Sequence, residues 1–167
     1  ILMNYNHCGS IYTTGNEVKT YISEEKKFQD LIKDIRAAKK FIHIEYYIFR
    51  FDDLGKAIIN ELKEKVDEGL EVRLLVDGMG SKSLKQKEIR YIKSLGIKFS
   101  IFFPGAFPRI NTRINYRNHR KIVVIDGYIG YTGGINIGDE YLGMNKKFGY
   151  WRDTHIRIEG TSVYMLQ

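Results

Sequence analysis

The sequence contains a single cysteine, Cys8, and this scarcity excludes both an internal disulfide framework and a cysteine-based zinc site. We therefore expect a protein of a reducing compartment. The four histidines are scattered and form no recognisable metal-binding cluster, so no metal is predicted. No apolar run approaches the roughly eighteen residues that cross a bilayer, and no charged-then-apolar leader is present.

Acidic residues are fewer than basic residues: the sequence has 20 Asp and Glu and 27 Lys and Arg, which gives a net charge of +7. This balance favours an anionic partner, either nucleic acid or an acidic membrane surface, without choosing between them. From Arg109 to Lys121 there are five cations and no acid. Such a run is commonly a solvated loop, but it leads directly into the motif described next. We therefore expect it to draw a phosphate group toward that motif.

Six residues between positions 118 and 136 form one spaced pattern: His119, Lys121, Asp126, Gly133, Gly134 and Asn136. A histidine and a lysine two apart on a strand project from the same face. An imidazole beside an ammonium suits a phosphate, because one group can attack phosphorus while the other neutralises its oxygens. The alternative is a strand with two exposed polar residues before a turn. The aspartate, the double glycine and the asparagine in register favour the catalytic interpretation.

This pattern resembles the HKD signature of the phospholipase D superfamily. Four flanking segments are similar to the N-terminal catalytic half of bacterial cardiolipin synthases: FIHIEYYIF (41–49), VRLLVDGMGS (72–81), NIGDEY (136–141) and YWRDTHIRIEG (150–160). The resemblance implies one phospholipase D-like domain over residues 1–167. It also implies a longer parent protein with membrane segments before this region and a second HKD half after it, so that both ends of the chain look like cuts.

We interpret His119 as the nucleophile, because a neutral imidazole can attack phosphorus and form a phosphohistidine. The resemblance implies that a histidine of the partner half protonates the leaving alcohol. Lys121 and Asn136 are the predicted phosphate ligands, one by charge and one as a neutral donor, although Asn136 could instead be a cap or turn residue. Gly134 is expected where the backbone approaches substrate; many relatives have serine there, so a hydroxyl is missing.

Three acidic residues are candidates for supporting roles around His119. Asp126 completes the motif, but its odd spacing from His119 places it on the opposite strand face. We therefore interpret Asp126 as a structural carboxylate that satisfies the following turn. A nucleophilic histidine also needs an acceptor on its other nitrogen. By resemblance that acceptor is Asp153, with Glu140 as second choice, and either could instead be an ordinary salt-bridge partner.

Glu45 interrupts an otherwise apolar strand, and a carboxylate in that setting must be paired or near a polar site. It is expected to contact Lys121 or the floor of the site, or else to lie at the half-exposed surface. His43 and His155 have the pattern of ordinary strand histidines, with no further predicted role.

Hydrophobic periodicity and turn residues predict alternating strands and helices. In order they are a β-hairpin at 10–22, a helix from Ser23 to about Lys40, strand 41–49, helix 53–68, strand 72–77, helix 84–95, strand 97–103, a long loop 104–118, strands 120–126 and 128–132, and strand 152–158. The alternation predicts an α/β domain with a mixed, largely parallel sheet and helices on both faces.

The resemblance implies transphosphatidylation of two phosphatidylglycerols to cardiolipin and glycerol, without a metal or organic cofactor. The expected partners are phosphatidylglycerol, a membrane surface, and a second HKD half or second copy. The parent would lie at the cell membrane with this domain on the cytoplasmic side, whereas the chain alone would be soluble and inactive. One alternative is a homodimeric phospholipase D-like nuclease acting on nucleic acid. The other is a binding module with a decayed motif.

Overall fold

The described residues form one seven-stranded mixed sheet with α-helices beside it. The computed structural model describes residues 2–103, 117–143, 149 and 151–167. Its α-helices are α1 (Leu2–Cys8), α2 (Glu24–Ala37), α3 (Asp53–Asp67) and α4 (Gln86–Ser94). Its strands are β1 (Glu17–Tyr21), β2 (Phe41–Tyr46), β3 (Glu71–Asp77), β4 (Lys98–Phe102), β5 (Lys121–Ile125), β6 (Ile129–Gly133) and β7 (His155–Glu159). Short 3-10 helices span Asp139–Leu142 and Thr161–Met165.

The sheet has the strand order β1-β7-β6-β5-β2-β3-β4. Only the β2/β3 and β3/β4 pairs are parallel; the four remaining pairs are antiparallel. The prediction of a mixed α/β sheet is confirmed, but the prediction that it is largely parallel is wrong. Helices α2, α3 and α4 join β1 to β2, β2 to β3 and β3 to β4, whereas a tight turn at Asp126–Gly127 joins β5 to β6. Three residues, 126–128, lie between the paired Ile125 and Ile129, and the Tyr128 N–H donates to the Ile125 carbonyl oxygen at 3.1 Å. Asp126 and Gly127 both have positive φ (56° and 72°), as the two central residues of a type I′ turn do.

Local capping signals account for the limits of the longer helices. The Ser23 hydroxyl accepts a hydrogen bond from the backbone N–H of Lys26, which confirms the predicted start of α2. The Asp52 carboxylate caps α3 in the same way, and Gly69, with a φ of 90°, follows that helix. The predicted hairpin at 10–22 is wrong, because only β1 forms there and its partner is β7.

The two faces of the sheet differ in what covers them. Ile42, Ile44 and Tyr46 of β2 are buried in one apolar cluster with residues of α2, α3 and α4. The alternate positions of β2 are half-buried on the opposite face. That face is contacted by the 3-10 helix Thr161–Met165, whose Val163 side chain packs against Gly130. In the described residues the packed α-helices therefore share one face, and the helix on the second face is this short 3-10 segment.

Strand direction brings separate loops to one edge of the sheet. Because β5 runs antiparallel to β2, Lys121 lies opposite Tyr46 at the carboxyl end of β2. Because β6 and β7 reverse in turn, Gly133 lies opposite His155 at the same edge. Asp77 ends β3 there as well, since β3 is parallel to β2. The predicted long loop at 104–118 lies mostly outside the described residues.

Candidate active site

His119 lies just before β5, exposed at the edge of the sheet where these loops meet. Its ring packs against that of Tyr47, with 4.6 Å between the ring centroids. Partial burial, followed by the Lys121 ammonium, lowers the pKa of His119 below its ordinary 6.5, while the Asp77 carboxylate acts in the opposite direction. The imidazole is therefore neutral near pH 7 and has an available lone pair, as a nucleophile needs.

Lys121 is almost completely buried, with 3% of its surface exposed. Its Nζ donates a hydrogen bond to the carbonyl oxygen of His119 at 2.8 Å and lies 5.3 Å from the centroid of the Tyr47 ring. Burial lowers the pKa of Lys121, and the Asp153 carboxylate opposes that shift. Among the described residues no carboxylate forms an ion pair with it. Two of its three N–H bonds are thus left to bind phosphate oxygens.

The side chain of Asn136 is buried and already holds two parts of the fold together. Its Oδ1 accepts a hydrogen bond from the backbone N–H of Ile48 at 3.2 Å, and its Nδ2 donates to the Tyr141 hydroxyl at 3.2 Å. This bonding is the structural role that the sequence left open. One amide N–H has no bond to a described residue, so the predicted phosphate contact of Asn136 stays a prediction.

Gly134 provides the space in which the Asp153 carboxylate lies. A Cβ built on Gly134 would overlap that carboxylate, so a side chain here requires Asp153 to move. Asp153 Oδ1 accepts from the backbone N–H of Thr154 at 2.7 Å, and the Asp153 N–H donates to Glu24 at 3.1 Å. Among the described contacts no hydrogen bond joins Asp153 to His119. Its role as the acceptor for His119 therefore stays a prediction.

Asp126 lies at the far end of β5, roughly 16 Å along the strand from Lys121 at the usual rise per residue. Its carboxylate accepts hydrogen bonds from the backbone N–H groups of Lys39, Lys40 and Phe41 at 2.8, 2.7 and 3.1 Å. The prediction that the Asp126 carboxylate satisfies the turn after it is wrong. The carboxylate instead fastens the β5–β6 turn to the start of β2.

Neither secondary candidate, Glu140 or Glu45, makes the contact predicted for it among the described residues. Glu140 accepts from the Arg50 guanidinium, with both N–O distances at 3.3 Å. Glu45 lies opposite Ile122 and therefore points to the other sheet face from Lys121. The expected contact between Glu45 and Lys121 is wrong; Glu45 accepts from the side-chain amide of Asn118 instead.

Below His119 and Lys121 lies a polar region that the sequence analysis missed. His155 is fully buried, and neither ring nitrogen has a hydrogen-bond partner among the described residues. Burial, and then the ammonium groups of Lys27 and Lys121, lower the pKa of His155 to about 2. Lys27 is also fully buried, and its Nζ donates to the Tyr46 hydroxyl at 2.8 Å. The alternation of β7 was the available signal, because its polar residues occupy every second position.

The edge of the sheet forms a cleft of about 400 Å³, lined by residues that include His119, Lys121, Gly133 and Thr154. The described residues contain no cluster of His, Cys, Asp and Glu arranged to hold a metal ion. The cleft joins an exposed neutral imidazole to a largely buried amine, and the Asp153 carboxylate acts on that amine. This arrangement can attack a phosphodiester and neutralise its oxygens.

The fold and the cleft define a phospholipase D-like domain. The chain belongs to the family described as "Cardiolipin synthase, PLD-like domain", whose family model matches residues 31–152. The chain is 53% identical over 166 residues to a protein named cardiolipin synthase from Staphylococcus aureus (strain N315). It is 54% identical over 158 residues to another of that name from Oceanobacillus iheyensis. These alignments cover 99% and 95% of the chain but 33% of each relative, so the chain spans a third of their length.

Solved structures share the fold at low sequence identity. NucT from Helicobacter pylori superimposes with a TM-score of 0.66 at 18% identity, covering 90% of both chains. Phosphatidylserine synthase from Haemophilus influenzae Rd KW20 gives a TM-score of 0.63 at 21% identity, over 86% of this chain and 34% of that one. These likenesses confirm the predicted phospholipase D-like fold. No helix among the described residues has the length and apolar character needed to cross a bilayer.

Proposed function

We propose that this chain is the first catalytic half of a two-half cardiolipin synthase, which transfers a phosphatidyl group from one phosphatidylglycerol to another. The observation that carries the proposal is the exposed, neutral His119, whose backbone carbonyl is bonded by the buried Lys121. The identity of 53% with cardiolipin synthases three times as long supports both the lipid substrate and the second half. The intact pattern of His119, Lys121 and Asn136 argues against a decayed binding module.

The reaction proceeds in two displacements at phosphorus. In the first, the His119 lone pair forms a P–N bond while the P–O bond to glycerol breaks, and the departing oxygen takes a proton from an acid in the second half. In the second, the hydroxyl oxygen of another phosphatidylglycerol attacks phosphorus and the P–N bond breaks. The hydroxyl proton returns to the group that gave one, so both catalytic groups are restored.

Lys121 stabilises both displacements, because its charge faces the phosphate oxygens on which negative charge develops. Its hydrogen bond to the His119 carbonyl oxygen restrains the position of the ammonium group relative to the His119 backbone. Neither displacement requires a redox cofactor, since no electrons are gained or lost overall.

The proposed setting is the cytoplasmic surface of the cell membrane. A net charge of +7 supports binding to a surface rich in anionic lipid, since cations near such a surface are attracted to it. The substrate, the second half and the membrane surface are all parts of this proposal.

Glycerol release from phosphatidylglycerol vesicles by the full-length protein, beside its His119→Ala variant, tests the proposal. We expect release to fall at least about a thousandfold in the variant, with cardiolipin lost in step, because the covalent intermediate cannot form. His7→Ala is the matched control, since His7 is an exposed histidine of α1. Undiminished release by His119→Ala, or no release by the folded parent protein, would refute the proposal.

A further inference from the structure

We infer that Asp77 is a positioning residue for the proposed reaction: it holds the backbone of Asn118, and thereby the imidazole of His119, in the geometry for attack on phosphorus. The inference rests on the proposed function, because it concerns the same nucleophile. It assigns a role to a residue outside the HKD pattern.

Asp77 is the last residue of β3, and its surface is 1% exposed. Its Oδ1 accepts hydrogen bonds from the backbone N–H groups of Met79 and Gly80 at 2.8 and 2.9 Å. Its Oδ2 accepts from the backbone N–H of Asn118 at 3.0 Å. The first two bonds are local turn contacts, but the third joins β3 to the residue immediately before His119.

Asn118 is held from a second direction by Glu45 of β2. The Asn118 amide nitrogen donates to Glu45, and its Oδ1 accepts from the backbone N–H of Arg120 at 3.3 Å. Two carboxylates of neighbouring strands therefore accept hydrogen bonds from Asn118: Asp77 from its backbone N–H and Glu45 from its side-chain amide. Because Asn118 is bonded through both its backbone and its side chain, it has little freedom to rotate. The backbone of His119, the next residue, is restrained with it.

The loop after β3 also supports the aromatic ring beside His119. The Ser81 hydroxyl donates to the backbone carbonyl oxygen of Tyr47 at 3.0 Å and accepts from the Phe49 N–H at 2.9 Å. A Cβ on Gly80 would overlap the Tyr47 carbonyl, so the loop and the Tyr47 backbone are in close contact. Asp77 orders this loop through two of its bonds. It therefore supports His119 both through Asn118 and through the Tyr47 ring.

The charge of Asp77 adds to this geometric role. Among the described residues it has no ion-pair partner, and its carboxylate favours the positive form of His119. Attack on phosphorus places positive charge on the imidazole, because its lone pair forms the new bond. A fixed, buried negative charge stabilises that developing charge without reorganising during the reaction.

The test measures the pH dependence of kcat/KM for the full-length protein and its Asp77→Asn variant. Bis(p-nitrophenyl) phosphate is the substrate, so the test stands even if the lipid assignment fails. We expect Asp77→Asn to lower kcat by about 10- to 100-fold with little change in KM. In the profile of kcat/KM against pH, activity falls on the acid side as His119 becomes protonated. We expect this acid limb to move to lower pH by about half a unit or more in Asp77→Asn, because the loss of a neighbouring negative charge lowers the pKa of His119.

Asp139→Asn is the matched control. The Asp139 carboxylate also accepts two backbone N–H groups from a distant segment, those of Asp53 and Leu54, but it has no contact with Asn118 or His119. We expect its acid limb to stay at the parent pH. An Asp77→Asn variant whose limb does not move and whose kcat per folded molecule is unchanged overturns the inference. Equal movement of the limb in Asp139→Asn also overturns it.

Asn118→Ala keeps the inference testable if Asp77→Asn does not fold. It removes the bond to Glu45 but retains the backbone N–H that Asp77 accepts. We expect kcat to fall about tenfold while the acid limb stays near the parent value, because the Asp77 charge remains. An unchanged kcat in this folded variant would show that holding Asn118 has no part in the reaction.

Discussion

At the scale of single residues, two histidines of the site have opposite surroundings. His119 is exposed beside Tyr47, where it can meet a substrate, whereas His155 is fully buried and neither of its ring nitrogens bonds to a described residue. Burial lowers both pKa values, and by far more for His155. A neutral His155 imidazole avoids adding a further positive charge beside the two buried lysines, Lys27 and Lys121.

His155 makes the stability of the fold depend on pH. Its pKa is about 2 in the folded state against an ordinary 6.5, so the unfolded chain binds the proton first as pH falls. The His155 contribution to stability is therefore complete above about pH 6.5 and decreases toward pH 2. We expect it to add a slope of up to about 1.4 kcal/mol per pH unit between pH 6 and 5. Urea unfolding at pH 7.5, 6 and 5 measures this slope.

His155→Leu provides the comparison, because leucine does not titrate. The variant should have a flatter dependence of the unfolding free energy on pH over the same range. The range ends at pH 5 because Glu71, whose pKa is lowered to about 2, acts in the same direction below its ordinary 4.5. Equal slopes in the parent and the variant would show that the pKa of His155 is the same in the folded and unfolded states, which would contradict this prediction.

At the scale of elements, one carboxylate joins the β5–β6 hairpin to the start of β2. Asp126 accepts three backbone N–H groups from residues 39–41, more than eighty positions earlier in the chain. This contact sets the far end of β5 against β2, and the same strand carries Lys121 at the other end. Asp126 thus contributes to the site through the placement of a strand.

Asp126→Ala should destabilise the fold by about 2–3 kcal/mol, since it removes three hydrogen bonds to a charged carboxylate and places alanine at a positive φ of 56°. Asp126→Asn should cost about 1 kcal/mol, because the amide retains one acceptor oxygen and asparagine tolerates the positive φ of 56°. Urea unfolding of both variants at pH 7 measures the two costs. A loss below about 0.5 kcal/mol for the alanine variant would contradict this assignment.

At the scale of the whole molecule, the described part of the cleft presents one candidate nucleophile, His119, and one lysine, Lys121. The chain spans a third of the length of the cardiolipin synthases it matches. Protonation of the leaving glycerol is therefore assigned to a second half in the proposed mechanism. A second copy of this chain could instead supply that acid, and the net charge of +7 would then also favour nucleic acid as substrate.

Activity of the 167-residue chain by itself distinguishes these arrangements. We expect its glycerol release to be at least about 100-fold below that of the full-length protein, because the proposed mechanism takes its general acid from the second half. Light scattering gives its oligomeric state, and the His119→Ala form of the same chain controls for contaminating enzymes. A dimeric chain that cleaves nucleic acid, with the cleavage lost in His119→Ala, would establish the nuclease alternative.

Features that depend on neighbouring residues could be predicted from the sequence. Ser23 and Gly69 mark the limits of helices because capping is a local interaction, and the spacing from His119 to Asn136 identifies the family because it lies within one hairpin. Tertiary structure alone decided the direction of β5 to β7, the burial of His155, and the bonds from Asp77 and Glu45 to Asn118. The last two span 41 and 73 residues, and local periodicity carries no information on which distant segments meet.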